Sequence, residues 1–498
     1  MGQLRFVAPC REHLAERTAE FAYIAGLEGI PWPCRCRQTG NNRADAELIV
    51  ERSVAESGNL YLPWRTKDAG ELMLSTASLM ERQHPYRLVV ELARGTLNRV
   101  RNQLADWQLV GLQAPAELEE RIGSACRQLA NIVIEKDPHA ASRASEELIN
   151  ESLAAGEHLA REYSRQMLAI RRQDSSASRV LAGGRLPCRP LLDSEDAFVR
   201  KYWNSVSLSF PWRTIESSPG KFDWELCDRQ VKWCTEQGLR IVSGPLVSLT
   251  RNHLPDWLFL WEEDFENLQQ KILHFVRAVV NRYRGLVHVW NSLAGMNVPG
   301  ALAITEEQRL RLAVVSIDEL RKHDSATPVL VTVDQPWGEY LTSESLELSP
   351  LHFADALQRA DLGLAGIGLE WNVGYWPGGT LPRDSLEVSR QLDRWSLLGL
   401  PLVVFVTLPS SGTVDESARL SPQAICEGTV PPSGQSQRDG AERLLPLALA
   451  KPFVQGVFWN QLSDQETPDC AHGGLFDGSG QAKPVCEFWQ SWYTSHLT

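Results

Sequence analysis

The last two thirds of the chain repeat one pattern: a short run of β-branched and other apolar residues, then an amphipathic helical stretch. The apolar runs fall at 179–186, 205–210, 240–247, 287–293, 328–335, 364–373, 401–408 and 454–462. Helical periodicity fills the intervals, for example at 224–237, 265–283, 306–322, 384–398 and 440–450. Gly238 and Gly399 stand where a helix is expected to end just before the next strand. Strands that are continuously apolar and joined by helices are buried on both faces, which requires a parallel sheet. Eight of them over roughly 320 residues predict a (β/α)8 TIM barrel with insertions.

The region before the barrel reads differently. Residues 1–85 predict a small β-rich module, with strands near 4–7, 46–50, 60–64 and 71–74 and a hairpin turn at Asp68-Ala69-Gly70. Residues 86–175 change to helical period, with helices expected near 86–108, 116–136 and 140–172. In the last of these, Leu148, Ser152, Ala155, Leu159, Tyr163, Met167 and Ile170 form one mostly apolar stripe. That stripe packs on the chain's own modules or receives a protein partner. The polar stretch 173–178 is the expected linker, and 179–498 the barrel.

Composition bounds the function. The net charge of −12, from 50 basic and 62 acidic residues, argues against a nucleic-acid scaffold. No apolar run reaches the length of a spanning helix, so no membrane role is expected. The first ten residues lack the basic and apolar regions of a secretory signal, which predicts a cytoplasmic protein. The ten cysteines, including the Cys34/Cys36 pair, lack metal-type spacing and predict reduced thiols. No phosphate-cradling loop or nucleophile elbow is present, and no metal or other cofactor is expected. Seventeen Trp stand out. Trp290, Trp337, Trp371, Trp376 and Trp459, with Tyr375, lie at or beyond expected strand ends, where rings either stack on sugars or fill the core. The stretch 371–379 (WNVGYWPGG) has the composition of a lid or binding loop.

Several segments of the barrel carry a resemblance. These are 203–224 (WNSVSLSFPWRTIESSPGKFDW), 244–257 with its Leu254-Pro255-x-Trp257, 287–291 (VHVWN), 364–372 (LAGIGLEWN), 398–408, and 456–484 with its Trp, Asp, Leu-Phe-Asp and Lys-Pro landmarks. In order, they resemble the strands and loops of glycoside hydrolase family 10, the xylanase-type barrels. The resemblance implies a protein that acts on or binds β-linked glycans of xylan type. It also implies two catalytic Glu, and here neither is present. The acid/base position, after an Asn on the fourth strand, reads Asn291-Ser292. The nucleophile position on the seventh strand is Val406 or Thr407. A hydroxyl does not titrate near neutrality and cannot replace a carboxylic acid.

The expected outcome is a carbohydrate-binding barrel, a pseudoenzyme candidate, with Trp290, Asn291, Trp371, Trp376 and Trp459 as substrate-binding candidates. Two alternatives stand beside it. One is an active O-glycosyl hydrolase with relocated carboxylates, drawn from Asp334, Glu370 and Asp464. The other is an intracellular assembly protein using the helical stripe. His288 and His472 are expected to be structural and solvent-exposed, respectively.

Overall fold

The computed structural model describes residues 2–9, 14, 16–26, 28–39, 46–52, 54–173, 180–342, 346–426, 428–465 and 469–497. Two small sheets open the chain. Strands β1 (Gly2–Ala8), β2 (Tyr23–Ala25), β3 (Cys34–Thr39), β4 (Ala46–Arg52), β5 (Asn59–Arg65), β6 (Glu71–Ser75) and β7 (Tyr86–Arg87) pair in the orders β3-β4-β1-β7 and β2-β5-β6. Alternation sets their inner faces: Leu4, Phe6 and Ala8 on β1 and Ala46, Leu48 and Val50 on β4 are buried. The expected hairpin at Asp68 joins β5 to β6, and Gly70 there takes φ +70°, a conformation that favours glycine.

Three helices follow, Leu88–Leu109, Ala116–Ile134 and Pro138–Gln173. The long last one links two cores. Leu148, Ile149 and Leu153 pack with the β module, whereas Ala155, Leu159, Tyr163 and Leu168 pack with the barrel. Trp107 stacks on Tyr163 at 4.0 Å between ring centroids, and the Arg171 guanidinium donates to the carbonyls of Leu449 and Val454. Most of the apolar stripe is therefore covered by the chain itself, with Ile170 exposed at its end. Among the described residues no helix is long and apolar enough to cross a membrane.

The rest is a curled parallel sheet of nine strand segments wrapped by helices: β8 (Leu181–Arg185), β9 (Ser205–Leu208), β10 (Arg240–Ser243), β11 (Val247–Ser248), β12 (Trp290–Ala294), β13 (Val329–Asp334), β14 (Gly366–Asn372), β15 (Leu402–Thr407) and β16 (Val454–Trp459). The sheet begins with β10 and ends with β11, which are two halves of one strand position split at Gly244-Pro245. Proline has no N–H to give the ladder. The ring closes across this split: Ser243 N–H donates to Val289 O at 2.9 Å and Leu246 N–H to Asn291 O at 3.0 Å. Since β16 also pairs with β8, eight strand positions form a barrel.

The apolar runs of the sequence coincide with these strands. The fourth differs at its start, because the His288 ring Nδ1, rather than a backbone carbonyl, accepts the Ile241 N–H at 3.0 Å. Regular pairing there begins only at Trp290.

Candidate functional site at the barrel mouth

Period-two alternation decides what each strand turns inward. Ala182, Val206, Leu293, Val331, Val333, Leu369, Trp371, Val404, Val406, Val457 and Trp459 belong to the outer core against the helices. The inner set begins with an apolar plug made by Val242, Leu330, Val403, Phe405 and Phe458, with Leu181 and Val289 packed on it. One step further toward the C-terminal ends, the inward positions become polar on successive strands. They are Arg185, Ser207, Asn291, Asp334, Glu370 with Asn372, Thr407 and Asn460. This ring lies where barrels of this kind carry their sites.

The ring is held by few direct contacts. Glu370 Oε1 accepts from Asn372 Nδ2 at 3.2 Å and from Asn460 Nδ2 at 3.3 Å. Arg185 stands 4.0 Å from Glu370 and 3.7 Å from Asp469, and Arg419 lies 3.5 Å from Asp469. These are loose ion pairs, longer than charge-assisted hydrogen bonds. Ser207 Oγ, Asn291 Oδ1 and Asn460 Oδ1 are buried without a hydrogen-bond partner within the protein. Buried polar atoms are normally paired, so these oxygens leave hydrogen-bonding capacity unused beneath the mouth, whereas the ring and loop side chains open to solvent are Arg185, Asp334, Arg419 and Asp469.

Two carboxylates meet in the ring. Asp334 and Glu370 are register partners on β13 and β14, so their side chains leave the sheet side by side. Asp334 is half-buried, and its amide and carbonyl are both bonded by the Asn297 side chain. Burial and then the neighbouring Glu370 charge push the Asp334 carboxyl up to about 7, against the pull of Arg419 and Arg185. His253 lies close enough to feel the Asp469 and Arg185 charges. Its burial pulls the imidazole down to about 4, so it is neutral at pH 7. Asp469 is held below the usual carboxylate range by Arg419, Arg185 and His253, against the cost of its burial. Among the described residues no group of three His, Cys, Asp or Glu is arranged to hold a metal ion.

The remaining candidates fall elsewhere. Asp464 is a structural clamp: it pairs with Lys483 and accepts from Gln461 and from the Gly474 N–H, the last at 2.7 Å. Trp290, Trp371 and Trp459 are fully buried, and the Trp290 and Trp459 N–H groups donate to Asp324 and to Gly473 O. An indole with no exposed face has nothing to offer a sugar, so the stacking expected of these three gives way to packing against the helices. Trp337 and Tyr375 are buried as well, the latter donating to Ala471 O. Trp376 is half-buried. His472 is not freely exposed; its ring nitrogen meets the Thr413 hydroxyl at 2.7 Å.

Residues 182–294 match the family model of glycosyl hydrolase family 10. This first part of the barrel is similar to glycosyl hydrolase family 10. A 107-residue stretch is 25% identical to endo-1,4-beta-xylanase C of Paenibacillus barcinonensis, covering 20% of this chain and 10% of that protein. A 104-residue stretch is 27% identical to an endo-1,4-beta-xylanase/feruloyl esterase of Xylanibacter ruminicola, covering 20% of this chain and 14% of that protein. The chain thus spans only a small part of the curated relatives it matches. Among solved structures, xylanase 10B of Thermotoga maritima aligns with 66% of this chain and 98% of its own, at 16% identity and a TM-score of 0.49. The GH10 protein from Paenibacillus barcinonensis aligns with 64% and 97%, at 17% identity and a TM-score of 0.48.

The two positions that the family 10 resemblance gives to catalytic Glu can now be located. Ser292 lies at an irregularity in the β12–β13 register, and its Oγ donates to Leu330 O at 3.1 Å. On β15 the alternation separates the two alternatives: Val406 faces the helices, and Thr407 is the inward residue. The family match ends before β15, so Thr407 lies outside it. Arg185, Ser207, Asn460, Arg419 and Asp469 were not singled out from the sequence. For Arg185 and Ser207, on strands, and Asn460, just past β16, the signal was available, since each is the polar residue that ends an inward-facing alternation.

Proposed function

We propose that the barrel mouth binds carbohydrate and does not run the family's double-displacement hydrolysis. The observation that carries the reading is the ring of inward polar side chains above the apolar plug, bordered by the partly exposed Arg185, Asp334, Arg419 and Asp469. Guanidinium and carboxylate groups at the mouth, with amides and hydroxyls beneath them, suit the alternating donors and acceptors of sugar hydroxyls. Retaining hydrolysis needs two carboxyl groups across the scissile bond, roughly 5 to 5.5 Å apart. Ser292 and Thr407 supply none. The xylanase names of the relatives make β-1,4-linked xylo-oligosaccharides the first ligands to test.

One observation favours a second reading. The Asp334 carboxyl, pushed up to about 7 by burial and by the neighbouring Glu370, can give or take a proton near neutrality, as acid and base chemistry requires. Calorimetric titration with xylohexaose, together with an aryl-xyloside hydrolysis assay on the unaltered protein and on Asp334→Asn and Glu370→Gln, separates the two. Binding without turnover is the expected result. Turnover abolished by either substitution would establish the second reading and refute the first.

A further inference from the structure

The N-terminal module is tied to the two barrel loops that follow β14 and β15, and the second of these carries Arg419. Strand β6 lies at the edge of its small sheet, and two residues on it make the ties. Met73 N–H donates to Pro382 O at 2.8 Å, in the loop after β14. Beside it the buried Arg383 bonds both Glu339, at 2.8 Å, and the Tyr23 hydroxyl of β2, at 3.0 Å. The buried Glu71 carboxylate serves the loop after β15: its Oε2 accepts from the Ile425 N–H at 3.0 Å and from the Cys426 N–H at 2.6 Å. The same oxygen stands 3.2 Å from the Thr429 hydroxyl, which also donates to Cys426 O at 2.8 Å. A carboxylate that accepts from adjacent backbone N–H groups fixes the turn that presents them.

From this clamp back to Arg419 the backbone is held at successive points. Gln423 N–H donates to Gly374 O at 3.1 Å, which joins the loop to its neighbour after β14. Leu420 N–H donates to Asp469 O at 2.8 Å, and Leu420 O accepts from Ala471 N–H at 2.8 Å, a short parallel bridge to the segment after β16. Arg419 is the residue before that bridge, with its guanidinium 3.5 Å from Asp469 and its charge pulling on Asp334. A loose ion pair open to solvent holds a long side chain weakly. The place of the Arg419 guanidinium therefore depends on the backbone that presents it. Arg185, the other guanidinium of the mouth, ends strand β8 and is placed by the barrel itself.

We infer that Glu71 is a positioning residue of the barrel mouth: through the loop after β15 the N-terminal module holds Arg419 against Asp469, where its guanidinium meets the ligand, a role for the ligand that rests on the carbohydrate reading of the mouth. The module contributes to binding in this way without touching the sugar.

Phenylglyoxal labelling of arginines in the full chain, read by peptide mass spectrometry, tests it together with calorimetric titration of xylohexaose. Glu71→Met keeps the buried volume and removes the acceptor. Arg419 should then label roughly two- to fivefold faster, the factor by which a partly exposed ion pair protects a guanidinium. Arg171, bonded to the carbonyls of Leu449 and Val454, should keep its rate. Glu71→Gln, whose amide oxygen can take the place of Oε2, should restore most of the protection. A clamp that only fastened the modules would lower the unfolding temperature of Glu71→Met and leave Arg419 labelling unchanged, and that result would overturn the positioning. Arg419→Met should weaken xylohexaose binding roughly tenfold, the scale of one charged hydrogen bond. Glu71→Met should reproduce much of that loss, and the double variant should bind no more weakly than Arg419→Met alone; additive losses would overturn the route through Arg419. If the unaltered protein binds no xylohexaose, the carbohydrate reading falls and labelling alone decides the positioning. If Glu71→Met labels faster at every arginine, the fold has loosened, and Thr429→Val decides on the same readout: a rise confined to Arg419 supports the positioning and no rise overturns it.

Discussion

Glu370→Gln removes one negative charge from beside Asp334 while keeping a side chain of nearly the same size. The Asp334 carboxyl, raised to about 7, lies above the roughly 3.9 of an unfolded chain. Between those values the folded chain holds a proton that the unfolded chain has released. The associated stability is fully present below about pH 4, declines as the pH rises and is gone above about pH 7. Three units correspond to about 4 kcal/mol at most. Burial is the larger cause and Glu370 the second, so Glu370→Gln should recover the smaller part of that loss. Urea unfolding at pH 4.5 and at pH 8 measures the difference. The unaltered protein should lose more stability across that interval than Glu370→Gln does, and Asp334→Asn should lose least. An identical pH dependence in all three proteins would refute the pairing of these two carboxylates.

Ser207→Ala should leave the unfolding temperature unchanged or slightly raised, because a buried hydroxyl without a partner costs free energy; thermal unfolding checks it. Arg383→Met should cost about 3 to 5 kcal/mol by leaving Glu339 buried and unpaired, and adding Glu339→Met should return a large part of it in the same denaturation assay. Asp464→Ala should lower the unfolding temperature by stranding Lys483, yet leave xylohexaose affinity intact, as expected of a clamp outside the ring.

How far the site was legible varied from residue to residue. Asp334 and Glu370 could be named because each ends an apolar run, and a carboxylate at the end of a barrel strand invites chemistry. Their register pairing could not be read, since it depends on how two strands separated by a helix align. Trp371 and Trp459 looked equally suggestive at the ends of their strands, yet face the helices, because a one-residue difference in phase reverses the side of the sheet. The same phase decided between Val406 and Thr407. Arg419 and Asp469 come from loops after β15 and β16, where no period exists to place a side chain.

The sequence by itself determined the barrel: eight buried runs alternating with helices leave few other ways to satisfy the backbone and cover both sheet faces. It also carried a resemblance to glycoside hydrolase family 10 in which Ser292 and Val406 or Thr407 stand where the family's Glu are expected. The tertiary structure alone decided which side chains share the mouth, what charge each carries there, and that the N-terminal module is tied to the mouth's loops. Local patterns record the burial of one element at a time. A site is made by elements distant in the chain, and its electrostatics exist only once they are packed together.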